Sequence, residues 1–191
     1  MELNNVIKKR KSVRLFNTKK VSWEKVLNAI DAANQGNFAG NINNLRFIIV
    51  EDKNLIDELA KHAHQTWISN AGIIIVVCSD DKNLENMYGE RGRVYSRQQA
   101  GAAINTLILK LVDEGLSTCW VGAYTDEFVR NTLKIPAHIQ VEAIIPIGYE
   151  KPGAGIAKKR KKELENTIYW EVWKKTKRPT IFKEPSTKPS R

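Results

Sequence analysis

Long apolar runs are missing from this sequence. The longest, Gly72 to Cys78 (GIIIVVC), is far too short to cross a bilayer, and the basic first twenty residues have no apolar stretch behind them. A membrane span is excluded on that ground, no export signal is visible, and a cytoplasmic protein is expected. Cysteine is nearly as scarce. Cys78 falls inside the apolar run and Cys119 beside Trp120, far apart and without a C-x-x-C partner, so two packed thiols in a reducing compartment are expected rather than a disulfide framework. His62, His64 and His138 offer no third ligand at a sensible spacing, which argues against a metal site. There is no G-x-S-x-G elbow to support hydrolase chemistry. No G-x-G-x-x-G follows a strand either, and Gly89 to Gly92 (GERG) is loop-bound, so a Rossmann nicotinamide site is not expected. No internal repeat is apparent.

What is present fits one main domain: 191 residues, 42% of them hydrophobic, can bury an ordinary core. The net charge of +10 is concentrated in two blocks, Lys8 to Arg14 (KKRKSVR) and Lys158 to Lys162 (KKRKK). Such blocks suit nucleic acid, a phosphate-bearing ligand or simply solvated termini. Against nucleic acid stands the placement of the aromatics. Trp120 falls in an apolar strand and Trp23 and Trp67 in predicted helices, not interleaved with the cations.

Ser22 is placed to cap a helix, with Val21 stapled to Val26, and Val26, Leu27, Ile30 and Ala33 recur at the spacing of one buried face. Asn34 to Asn44 (NQGNFAGNINN) must be a loop, because Gly and Asn tolerate turns, and it runs straight into a strand at Arg46 to Glu51. Asn54 caps a second helix carrying Leu55, Ile56, Leu59, Ala60 and Ala63, and Gly72 to Ser79 predicts a central strand. A polar connection, Ser79 to Gly92, leads to a long helix from about Arg93 to Glu114, closed by Gly115. Leu116 to Tyr124 reads as a short strand breaking into a glycine turn, and Thr125 caps a helix over Asp126 to Leu133. Ile139 to Tyr149 is the last strand, with Ile139, Val141, Ala143, Ile145 and Ile147 alternating on one face. Leu164 to Trp173 can form another short helix. Lys177 to Arg191, three of whose fifteen residues are proline, reads as an extended or disordered arm following a domain at 1–176.

Four segments together resemble the FMN-dependent nitroreductase family. Arg10 to Phe16 (RKSVRLF) is similar to its R-[RK]-S-[VI]-R-x-F opening and Gly40 to Phe47 (GNINNLRF) to its G-N-x-Q-P-W-x-F loop. Gly115 to Tyr124 (GLSTCWVGAY) matches G-L-x-T-x-W-x-G-A-F, and Ile147-Gly148-Tyr149 matches a C-terminal I-G-Y. The order and spacing are compatible over roughly residues 5 to 173. The resemblance implies an α+β three-layer sandwich, with a central mixed or antiparallel sheet flanked by helices, forming a domain-swapped homodimer with the flavin between subunits. It also implies an enzyme using NAD(P)H to reduce a nitroaromatic, quinone or similar electrophile by ping-pong hydride transfer through FMN, with no side chain needed as acid or base.

By the same resemblance Arg10, Lys11, Ser12 and Arg14 hold the cofactor, with Arg160 and Lys158 from the second block near the phosphate. Asn41, with Asn43 beside it, faces the ring, and the Val121-Gly122 backbone supplies an amide to flavin N5. The residue types suit these tasks. A phosphate dianion needs guanidinium and hydroxyl donors, Asn41 both donates and accepts, and a glycine lets backbone approach a planar ring. Asn43, Asn44 and Leu45 depart from the family's Gln-Pro-Trp, which leaves open a relative that binds or modifies flavin without reductase turnover. The small residues Ala100 to Ala103 in the long helix serve either intramolecular packing or a dimer interface.

Overall fold

Period-two alternation sends successive side chains of a strand to opposite faces, so a strand apolar throughout must be covered on both. The computed structural model describes residues 1–153 and 163–179. Among them a sheet is formed by β1 (Leu45–Val50), β2 (Ile73–Ser79), β3 (Ser117–Thr118) and β4 (Gln140–Gly148), in the order β1-β2-β4-β3. Every neighbouring pair is antiparallel, with Leu45 opposite Ser79, Ile73 opposite Ile147 and Ser117 opposite Gly148. β2 is the buried inner strand expected: Ile73, Ile75 and Val77 enter one core, Ile74, Val76 and Cys78 the other.

The helices are α1 (Leu3–Lys9), α2 (Trp23–Asn34), α3 (Lys53–His62), α4 (Lys82–Tyr88), α5 (Glu90–Asp113) and α6 (Asp126–Leu133). One sheet face is covered by α2 and α5 through Val26, Ala29, Ala33, Ala103, Leu107 and Leu111. The opposite face is covered by α3 and α6 through Ile56, Leu59 and Val129, with Val13 and Phe16 beside them. Each fully buried Ile or Leu contributes about 1.5–3 kcal/mol over its exposed state. Helix, sheet and helix make the α+β three-layer sandwich.

Several local expectations are corrected. Leu27 is exposed, and α2 reaches the core through Val26, Ala29 and Ala33. α3 is capped by Asp52, the last extended residue, whose carboxylate accepts from the Leu55 amide at 3.0 Å, and not by Asn54. Ser22 and Thr125 sit at N-cap positions without side-chain capping bonds; at α6 the carboxylates of Asp126 and Glu127 meet the positive helix end. The supposed loop from Ser79 to Gly92 contains α4, which turns into α5 at Gly89. A Cβ on Gly92 would lie 2.3 Å from the Leu84 carbonyl oxygen, so this corner closes only on glycine. The strand expected over Leu116 to Tyr124 is only two residues long, followed by an isolated bridge from Val121 to Ile144.

β4 does not keep one apolar face. Its register against β2 shifts between Val77 and Cys78, which pair with Ala143 and Val141, so Glu142 is an inserted residue. Val141 therefore enters the α3 side while Ala143, Ile145 and Ile147 face α2 and α5.

The chain divides into Met1–Ile156 and Ala157–Arg191. In the second unit the described residues hold a single 3-10 turn, Leu164–Thr167, where a helix to Trp173 was expected, with Tyr169 edge-on to Trp173 at 4.7 Å. No helix among the described residues is long and apolar enough to cross a membrane.

Candidate functional site

Three of the four motif segments meet at the β3 edge of the sheet. After α1 the chain runs beside β3: Ser12 pairs with Thr118 in parallel, and the Val13 amide donates to the Thr118 carbonyl at 3.0 Å. Val13 is buried, so Ser12 and Arg14 turn outward together. Further on, Phe16 bridges Glu150, the Asn17 amide donates to Tyr149 at 2.8 Å, and the Lys151 amide donates to Leu15 at 3.0 Å. Phe16 lies over Gly148, where a Cβ would come within 2.8 Å of its ring. The opening motif and the I-G-Y motif are thus two halves of one contact.

The cations differ in availability. Lys11 is paired with Glu150 at 2.7 Å, whereas half-buried Arg10 and exposed Arg14 form no ion pair among the described residues. Lys158 and Arg160 lie outside the described residues.

The glycine turn follows directly from β3. Val121 is locked to Ile144 by two hydrogen bonds of 3.0 Å, one in each direction. Trp120 is 42% exposed, not inside an apolar strand as expected. The Gly122 amide donates to no group among the described residues, and a Cβ there would meet only Trp120 Nε1, at 4.0 Å. A flat ligand can therefore approach this backbone. Beside it, Gln65 Nε2 donates to the Ala123 carbonyl at 3.4 Å and accepts at Oε1 from Trp67 Nε1 at 3.2 Å. The Arg14 guanidinium carbon is 5.9 Å from the Trp67 ring centroid. Gln65 and Trp67 were missed by motif reading; Trp67, expected within a helix, lies in the 3-10 turn Thr66–Asn70 beyond the end of α3.

The Asn41 loop lies elsewhere. It enters β1 where Leu45 faces Ser79, whereas Gly148 sits by the Ile73 end of β2, about 20 Å away along the strand. Within one chain Asn41 and Arg14 belong to opposite ends of the sheet. Asn41 is exposed at φ 58°, on a turn pressed against Met87 and Tyr88. Asn43 already has partners for both ends of its amide: Oδ1 accepts from the Leu45 amide at 3.0 Å and Nδ2 donates to Asn34 at 2.9 Å. Buried Asn44 donates to Ser96 at 2.7 Å and accepts from Gln99 at 2.5 Å, while Gln99 also holds Ile42 and Ala39. The residues that depart from Gln-Pro-Trp thus fasten the loop through hydrogen bonds.

A family model described as the nitroreductase family matches residues 7–72 and 63–149. The chain belongs to the nitroreductase family. It is an oxidoreductase by that membership. A Methanothermobacter thermautotrophicus protein provisionally named NADH dehydrogenase/NAD(P)H nitroreductase is 28% identical over 160 residues, 80% of this chain and 81% of its own. An iodotyrosine deiodinase from Thermotoga neapolitana is 28% identical over 166 residues, 77% of this chain and 88% of its own. In fold, the chain matches an FMN-dependent nitroreductase from Clostridium difficile with a TM-score of 0.74 at 23% identity, over 88% of this chain and 98% of that one.

In this nitroreductase-family chain a cleft of about 870 Å³ opens beside Asp80, Asp81, Arg93, Arg97, His138 and Gln140. Arg97 pairs with Asp81 and Glu142, and Arg93 pairs with Glu85, so neither guanidinium there is free. Burial pushes the Glu142 carboxyl above the usual range, opposed by the Ser79 hydroxyl at 2.5 Å and by Arg97. Matched charges of this kind order the end of the sheet and leave the β3 edge as the candidate site.

Proposed function

We propose that this chain is an FMN-dependent reductase that takes electrons from NAD(P)H and passes them to a small electrophile in alternating half-reactions. The observation that carries the reading is the pairing of Ser12 and Val13 with Thr118, which sets Ser12 and Arg14 on the same sheet edge as the Gly122 amide, the latter two without partners among the described residues. That donor set suits FMN: Arg10 and Ser12 offer a guanidinium and a hydroxyl to its phosphate, and Gly122 leaves room for a ring. When bound, the flavin supplies the chemistry of accepting hydride and giving up electron pairs. The protein supplies position and charge. Arg14 near the pyrimidine end would stabilise the negative charge that reduction brings, a fixed cation needing no reorganisation. The relative named for NAD(P)H nitroreductase activity supports the electron donor, and the FMN-dependent structure of like fold supports the cofactor.

The test is the visible spectrum of the purified protein supplied with FMN, followed by anaerobic NADH and then NADPH. Flavin bands that bleach are expected. Offering the bleached protein a nitroaromatic, a quinone and an iodophenol then identifies the acceptor, the last because of the deiodinase relative. Flavin that binds without bleaching would point to a member without reductase turnover. A protein that takes up no FMN would refute the reading and return its basic blocks to nucleic acid.

A further inference from the structure

Arg14 and the Gly122 turn come from distant parts of the chain, and two side chains outside both motifs span the gap between them. We propose that Trp67 and Gln65 are positioning residues: the Trp67 ring seats the Arg14 guanidinium, and Gln65 ties that ring to the turn carrying the Gly122 amide. The inference rests on the flavin reading of this edge.

The brace has a firm base. Leu59, Ala60 and Ala63 bury the end of α3 and the turn after it, and the chain leaves through His64 at φ 52° into the 3-10 turn Thr66–Asn70. The Gln65 amide donates to the Ala60 carbonyl at 3.0 Å, and the Ile68 amide donates to the Gln65 carbonyl at 3.0 Å, with Ile68 wholly buried. An indole N–H can only donate, so the Gln65 oxygen must face Trp67, which leaves its NH₂ for the Ala123 carbonyl. A second tie joins the same parts, since the Thr125 amide donates to the His62 carbonyl at 3.1 Å. The ring of Phe16, clamped over Gly148, has its centroid 6.4 Å from that of Trp67.

The choice of an aromatic seat has a physical reason. An exposed arginine sweeps many rotamers, and a ligand that uses it must first immobilise it. A carboxylate could hold Arg14 but would cancel the charge it offers. A π face orients the guanidinium and leaves its charge intact. Arg14 has no carboxylate partner among the described residues and has this ring instead.

The experiment compares wild type, Trp67→Leu, Trp67→Phe, Gln65→Leu, Arg14→Ala and the Arg14→Ala/Trp67→Leu double variant. The readouts are FMN affinity from flavin fluorescence, the midpoint potential of bound flavin, and the melting temperature without flavin. Trp67→Leu is expected to raise the FMN Kd about three- to tenfold. It should also lower the potential by about 15–30 mV, a further three- to tenfold loss of affinity for reduced over oxidised flavin in a two-electron couple. Trp67→Phe keeps a π face and should stay near the wild-type potential, Gln65→Leu should fall between, and the double variant should be no worse than Arg14→Ala alone. A purely structural role would lower the melting temperature and leave the potential unchanged. That result in Trp67→Leu, or in Gln65→Leu if the former does not fold, overturns the inference, as does additivity with Arg14→Ala. Wild type that binds FMN while Trp67→Leu keeps its potential refutes this inference alone; wild type that takes up no FMN refutes the flavin reading and this inference with it.

Discussion

A thiol on the inner strand of a covered sheet is kept neutral by its surroundings. Cys78 is 1% exposed, and burial, with the Glu142 charge as the smaller cause, pushes its pKa from 9.0 up to about 11. Between those values the unfolded chain has lost a proton that the folded chain keeps. The resulting contribution to stability is complete below about pH 8.5 and is lost as pH rises through the folded value. Native protein treated with iodoacetamide at pH 8.5 should leave Cys78 unmodified, while urea-unfolded protein should be labelled there, as peptide mapping would read; rapid labelling of native Cys78 would contradict this. Scarce, isolated cysteine was enough to expect a packed thiol. The smaller, Glu142 part of its pKa shift was not legible, because Glu142 comes close only through the irregular pairing of β2 with β4.

Among the elements, the contact between Phe16 and Gly148 shows why two motifs far apart in the chain read as one. Gly148→Ala would force a methyl group to 2.8 Å from the Phe16 ring and push the opening segment off the sheet edge. A loss of about 1–3 kcal/mol is expected, seen as a lower melting temperature, together with weaker FMN binding. Unchanged melting and affinity would mean the segment is held some other way. Period and composition were sufficient for β2, α5 and α6, whose patterns are long or sharply bounded. They failed for α4, where Leu84 is the only buried residue and the evidence for a helix is its packing on Gly92. They failed also in β4, because an inserted Glu142 looks like any polar position in an alternating strand.

At the scale of the whole molecule, Asn41 and Arg14 sit at opposite ends of one sheet, so a site using both draws on two chains. We propose a homodimer in which each flavin is held by Arg10 to Arg14 of one copy and by the Asn41 loop of the other. Sedimentation should give twice the mass of one chain. Arg14→Ala and Asn41→Ala should each weaken FMN binding, and their co-expression should restore one intact site per mixed dimer, about a quarter of the wild-type capacity if chains pair at random. No recovery would place both residues on the same flavin from a single chain.

Local chemistry along the chain was sufficient for the inner strand and the long helix, and the family resemblance carried by four motif segments was sufficient for the fold class. The strand and the helix follow from side-chain period, which neighbours in sequence already express. Other features depend on residues remote from one another: the bulge at Glu142, the hydrogen-bonded loop that replaces Gln-Pro-Trp, and the seat that Trp67 makes for Arg14. Each is a matter of which surfaces pack together and which donors find acceptors, and no window of the chain contains both partners.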